Sequence, residues 1–134
     1  MTELPEGYDL GEGADARSAH AFLTQSYWSP GIPLETVERA LANSLCVSAL
    51  HGSVQVGMAR VITDRTTFAY LADVYVLDGH GGKGLAKAMV GYLQEHPKLQ
   101  GLRRWMLATR DAHGLYESLG WQSLPDPSLF MQRH

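Results

Sequence analysis

The sequence predicts an α/β (α+β) fold. One domain over residues 1–134 carries a mixed, mostly antiparallel central sheet with a parallel strand-helix-strand crossover and helices on both faces. Three observations predict it. Residues 45–63 hold two β-rich runs around a three-residue turn, the pattern of an antiparallel hairpin. Residues 66–110 pass from an apolar run through a glycine-rich turn and an amphipathic stretch to a second strand-like run, which calls for a right-handed parallel crossover. The length, 134 residues, suffices for one hydrophobic core and is too short for two independent domains.

The elements follow in order. Asp15 is placed to cap a helix reaching about Ser26, with Ala19, Phe22, Leu23 and Ser26 at helical spacing. The "SPGIP" at 29–33 breaks it, and Pro33 suits the start of a second helix whose Leu34, Val37 and Leu41 share a face up to Asn43-Ser44. Then the periodicity changes. "LCVSAL", "HGS" and "VQVGMARVIT" form the hairpin, and Asp64-Arg65 turns into "TTFAYLADVYVL", an apolar run suited to a central strand covered on both sides. Leu85, Ala86, Met89, Val90 and Leu93 make one apolar helical stripe that stops by Pro97. "LRRWMLATR" reads as a strand, "DAHGLYESLGW" as a short helix ended by Gly120, and "WQSL" and "LFMQR" as two terminal strands.

Composition excludes several classes. No stretch approaches the roughly 18–20 apolar residues a bilayer span needs, and Met1-Thr2-Glu3-Leu4-Pro5-Glu6 lacks the basic start of a secretory signal. A cytoplasmic location without membrane attachment is expected. The net charge of −3 has the wrong sign for a nucleic-acid partner, and Arg103-Arg104 with Lys98 reads as a solvated strand edge. The single cysteine, Cys46 in "LCVSAL", reads as a small core residue. The six histidines are isolated and neither HExxH nor CxxC occurs, so no metal is expected.

The chemistry lies in "DGHGGKGLAKAM", residues 78–89. Glycines between a buried strand and a helix let backbone N–H groups approach an anion, and the helix start favours negative charge. A Walker loop fails, because Leu85-Ala86 stands where Lys-Ser/Thr would hold phosphate and magnesium. The literal G-x-G-x-x-G of Gly79 to Gly84 lacks the ribose-binding acid about 20 residues on; Asp111 falls too late. Read three residues later, Gly82-Lys83-Gly84-Leu85-Ala86 after "DVYV" resembles the Q/R-x-x-G-x-G/A pyrophosphate loop of the GNAT superfamily, the acyl-CoA-dependent N-acetyltransferases. Gly84 and Ala86 fill the glycine slots, and Gly81 stands where Gln or Arg is usual. His80 is the neighbouring candidate to replace that side chain. Further on, "LATRDAHGLYESLGWQSL" is similar to the family's A-x-x-x-Y-x-x-x-G-F segment, with Ala112, Tyr116, Gly120 and Trp121, and Thr109 replaces a common Asn.

This resemblance implies the acyl-CoA N-acyltransferase fold, with acetyl-CoA as co-substrate in a gap between the strand ending at Val76 and the one ending near Thr109. Its pantetheine arm would pair with the backbone of Val74, Tyr75 and Val76. The pyrophosphate would rest on amides of the loop Gly81, Gly82, Lys83, Gly84, Leu85, Ala86 and Lys87. Tyr116 is implied as general acid toward the CoA sulfur. An alkylamine is only about 0.04% neutral at pH 7, so the acceptor must be desolvated or deprotonated. Asp73, an acid in an apolar strand beside the gap, is the leading base, because burial would raise its pKa; pairing of that acid with Arg60 or Arg104, or a water chain, is the alternative. Tyr27 and Trp28 are candidates for the acceptor pocket, since aromatic faces suit cationic amines. The expected function is acetyl transfer to a primary amine of a small molecule through a ternary complex. A non-catalytic CoA-binding sensor of the same fold is the rival, a nicotinamide or flavin enzyme a distant third, and a homodimer is left open.

Overall fold

Turn residues divide the chain where the periodicity changes, and the elements between them are held by pairing and packing. The computed structural model describes residues 4–134; Met1, Thr2 and Glu3, which entered the reading of the N-terminus, lie outside them. In order come β1 (Tyr8–Glu12), α1 (Ala16–Leu23), α2 (Leu34–Ala42), β2 (Leu45–His51), β3 (Val54–Thr63), β4 (Phe68–Val76), α3 (Leu85–Gln94), β5 (Arg104–Leu107) and α4 (His113–Glu117). Among the described residues the strands form one sheet in the order β1-β2-β3-β4-β5, antiparallel except for the β4–β5 pair. The mixed sheet with a parallel crossover is thus as expected.

The helices cover both faces. On one face Ala19, Leu23 and Val37 of α1 and α2 bury Met58 and Tyr75, and Phe22 stacks on the Tyr75 ring at 4.4 Å. On the other, Leu85, Met89, Val90 and Leu93 of α3 pack on Val47, Ala59, Val61, Ala69 and Leu71. Gly57 permits that approach, because a Cβ there would lie 2.8 Å from the Tyr75 carbonyl oxygen and 3.2 Å from Met89 Cε.

Three departures from the sequence reading have physical causes. β1 was not expected, since Asp9, Gly11 and Glu12 are poor strand formers. It forms by pairing Tyr8–Glu12 with Val47–His51, and Glu12 meets His96 at 2.9 Å. The two terminal strands do not form. Past Trp121 the chain is irregular, with one 3-10 turn at Pro127–Leu129 whose Asp126 side chain accepts from the Ser128 N–H; Pro125 and Pro127 each lack a ladder donor. Finally β5 is shorter than "LRRWMLATR", pairing with β4 only from Phe68↔Arg104 to Leu71↔Leu107. β4 continues from Ala72 to Val76 with no strand on that side, and the sheet opens into a wedge.

A bulge decides which way β4 points within that wedge. Arg60 pairs with Asp73 and Val61 with Leu71, leaving Ala72 without a partner on β3. Such an extra residue shifts the alternation of side chains. Ala69 and Leu71 therefore face α3, whereas Tyr75 faces α1 and α2.

Candidate active site

The phosphate-type loop is built by backbone geometry. Leu77 N–H bonds the Val56 carbonyl at 2.8 Å and His80 N–H bonds the Leu77 carbonyl at 3.1 Å, which ends β4 in a tight turn. Gly79, Gly82 and Gly84 then adopt φ of 89°, 74° and 78°, the left-handed region that side-chain-bearing residues avoid. Gly84 is the residue before α3 and offers no capping side chain. At α1, by contrast, the Asp15 carboxylate accepts the Ser18 N–H at 2.8 Å. The first helical bond of α3 is Ala88 N–H to the Gly84 carbonyl. Among the described residues, no protein acceptor takes the amides of Gly81, Gly82, Lys83, Gly84, Leu85, Ala86 or Lys87. A row of uncommitted N–H groups at the positive end of a helix is an anion cradle.

His80, beside the loop, is held by a 2.8 Å hydrogen bond between its Nδ1 and the Tyr8 hydroxyl. Tyr8 stacks on His51 at 4.5 Å. Lys83 Nζ lies 5.8 Å from the centre of the Tyr8 ring. The unanticipated β1 thus braces the loop.

Next to the loop, the backbone of Val74, Tyr75 and Val76 pairs with Ala59, Met58 and Gly57 on one side only. The Tyr75 side chain is buried away from the wedge, and its hydroxyl accepts from Gln55 Nε2 at 3.1 Å. Burial raises the Tyr75 phenol above its ordinary pKa.

At the mouth of the wedge is a cavity of about 540 Å³. Tyr70, Leu71, Ala72 and Val74 wall it from β4; Leu107 to Ala112 and Tyr116 wall it from the end of β5 and α4; Tyr27 and Trp28 close it from the segment after α1. A second cavity of about 340 Å³ shares Leu107, Ala108, Thr109 and Tyr116. Tyr116 therefore stands between the two. Its ring packs against Trp121 at 6.0 Å, and its hydroxyl has no protein partner among the described residues, although the residue is only 8% exposed. Burial, with Tyr27 nearby, raises its phenol above the ordinary value. Thr109 Oγ1 accepts the Ala112 N–H at 3.1 Å, so it shapes the start of α4 and still has a hydroxyl proton to donate.

For Asp73 the structure shows the alternative to a free base, a pairing with Arg60. Asp73 is buried, and its Oδ1 accepts from Trp28 Nε1 at 2.7 Å and its Oδ2 from Arg60 Nε at 2.6 Å. Arg60 in turn donates to Ser44 Oγ at 3.1 Å. The carboxylate does not line the cavity; Asp111 does. The Ala72 bulge, which sequence periodicity cannot reveal, accounts for that displacement. Tyr70, Arg110 and Asp111 are wall residues the sequence reading did not assign. Tyr27 and Trp28 do wall the cavity, yet one face of Tyr27 is already covered by the Arg110 guanidinium, 3.8 Å from the ring centre.

Cys46 is buried in β2, and burial pushes its thiol up to about 11, so it is no nucleophile at neutral pH. Among the described residues no three His, Cys, Asp or Glu side chains come together as a metal site. No described helix is long and apolar enough to cross a membrane.

Known proteins resemble this chain in sequence and fold. A family model described as the acetyltransferase (GNAT) family matches residues 14–121. A protein of the fungus Gibberella zeae named as a candidate acetyltransferase is 35% identical over 123 aligned residues, covering 76% of this chain and 68% of its own. A crystal structure from Xanthomonas campestris pv. campestris, described as a candidate acetyltransferase of the GNAT family, superimposes with a TM-score of 0.92 at 42% identity, covering 98% of this chain and 95% of that one. An aminoglycoside N-acetyltransferase solved with CoA has a TM-score of 0.71 at 17% identity, covering 98% of this chain and 100% of that one; at that identity the likeness is one of fold.

Proposed function

The chain belongs to the acetyltransferase (GNAT) family and is an acyltransferase, and from that premise we propose that it moves the acetyl group of acetyl-CoA to a primary amine of a small molecule. The observation that carries this reading is the row of uncommitted amides from Gly81 to Lys87, set beside the Ala72–Val76 stretch of β4, which has no strand on its β5 side. A diphosphate suits the amides, and an extended amide-bearing arm suits a strand with one free edge. Gly81 supplies no side chain to the phosphates, so the main chain carries that end, with Lys83 and Lys87 as nearby charges.

The thioester supplies an activated acetyl group, and the protein's task is to position and protonate. The wedge and the cavity bring an amine and the thioester carbonyl together, which converts a bimolecular step into an intramolecular one. The amine nitrogen forms a bond to the carbonyl carbon as the carbon–sulfur bond breaks. Tyr116 donates its phenolic proton to the departing thiolate and recovers one from the acylated nitrogen. Its raised pKa keeps it protonated at neutral pH, the state an acid needs. Asp111 is the carboxylate of the cavity wall and serves the incoming ammonium. Asp73 we assign a positioning role: anchored by Arg60, it holds the indole of Trp28 against the cavity.

Free-thiol release from acetyl-CoA across an amine panel, with Tyr116→Phe alongside, tests the reading. Amine-dependent release that collapses in the variant is expected. Tight CoA binding with no release for any amine would instead mark a sensor.

A further inference from the structure

We propose that Arg110 selects the acceptor, and that the acceptor is an amine that also carries a carboxylate, as amino acids do. This rests on the transferase reading above and names the substrate class it left open. Arg110 lines the cavity, and its guanidinium is 3.8 Å from the centre of the Tyr27 ring. Tyr27 is itself packed edge-on against Trp28, with ring centres 5.1 Å apart. Trp28 is bonded to Asp73, which Arg60 anchors from β3. The guanidinium of the exposed Arg110 is therefore connected by a chain of contacts back to the sheet.

Among the described residues the ion pairs are Arg60–Asp73 and His96–Glu12; Arg110 has no carboxylate partner, and the adjacent Asp111 does not supply one. A planar cation stacked on one aromatic face keeps its N–H fork free for a carboxylate. The diphosphate is not that anion, because none of residues 81–87 lines this cavity. A cation at this point also disfavours acceptors carrying only positive charge, and it lowers the pKa of a nearby ammonium, favouring the neutral nucleophile. Tyr27 gives one face to Arg110, which leaves Trp28 and Tyr70 to pack the acceptor's carbon frame. The expectation that Tyr27 receives a cationic amine thus changes into one that it presents a cation to an anion.

The test uses acetyl-CoA with the twenty L-amino acids and the same twenty as carboxamides, comparing wild type with Arg110→Gln and Arg110→Lys. The best free acid should exceed its carboxamide in kcat/KM by about 10- to 100-fold, the range of a charge-assisted contact. Arg110→Gln should bring that ratio near one, mainly through KM, and Arg110→Lys should fall between. Equal use of acids and carboxamides by wild type overturns the proposal, as does a preference that survives in Arg110→Gln. Binding of CoA is measured calorimetrically on the same wild-type sample. If CoA binds and neither panel is acetylated, the substrate class is wrong; if CoA does not bind, the transferase reading itself fails.

Discussion

Under the proposed function, the two ends of the wedge recognise by different means. At the loop from Gly81 to Lys87 the recognising groups are main-chain amides, displayed by glycines at positive φ and by a helix without a capping side chain. At the cavity they are side chains from three separate stretches, around Tyr27, Tyr70 and Arg110. A main-chain site depends on local backbone geometry and tolerates little change in glycine placement. A side-chain site depends on tertiary contacts, such as the bulge at Ala72 and the Trp28–Asp73–Arg60 network, and can be altered without touching the loop. The same scaffold can therefore keep one donor while its acceptor changes.

The largest effect that would sharpen this contrast lies at Tyr116, where the two cavities meet. Tyr116→Phe should lower kcat by about 100- to 1,000-fold, within the range of general acid catalysis, and leave the Kd for CoA within about threefold. The pH profile should change as well. With its phenol raised above the ordinary value near 10, the wild type should keep its acid up to about pH 10 and lose rate only above it, and that alkaline limb should be absent in the variant.

Next in size is Gly84→Val. A β-branched residue at φ 78° is strained by about 1–3 kcal/mol, and relief of the strain tilts the amides at the start of α3. The Kd for CoA should rise about tenfold or more by calorimetry, and the KM of the amine should stay nearly fixed. An equal loss at both ends would break the division between them.

Smaller for catalysis is Asp73→Asn. It leaves the partly buried Arg60 charge without its partner, and removing one member of such a pair costs about 3 kcal/mol, so the melting temperature should drop by about 10 °C. The amine KM should rise a few-fold as Trp28 loosens, with the Kd for CoA unchanged below the transition. If Asp73 were instead the base, kcat would fall by two orders of magnitude or more, with its pH dependence altered.

What was legible in the sequence follows the same division. The glycine spacing at 79–84 and the Tyr116 segment were visible because a backbone conformation or a local helix demands particular residues at particular positions. The hairpin and α3 were visible as periodicity. β1 was not, because Asp9, Gly11 and Glu12 have no strand preference, and only pairing with β2 makes them one. The reverse came at "WQSL" and "LFMQR", apolar-rich runs on either side of Pro125 and Pro127 that lack strand alternation and pair with no strand among the described residues. Asp73 was legible as a buried acid with Arg60 among its candidate partners, but its bond to Trp28 was not, since that depends on one residue of β4 left unpaired with β3.

The central claim is that main-chain amides, not side chains, hold the donor. Titrating ¹⁵N-labelled protein with acetyl-CoA, and separately with S-acetylpantetheine, tests it most directly, because the second thioester keeps the pantetheine arm and lacks the diphosphate and nucleotide. The account predicts large shifts of the amides between Gly81 and Lys87 with acetyl-CoA alone, and an affinity at least about 100-fold weaker for the short thioester, the worth of two charge-assisted hydrogen bonds. Saturation by acetyl-CoA with those amides unmoved, or equal affinity for the two thioesters, would contradict it.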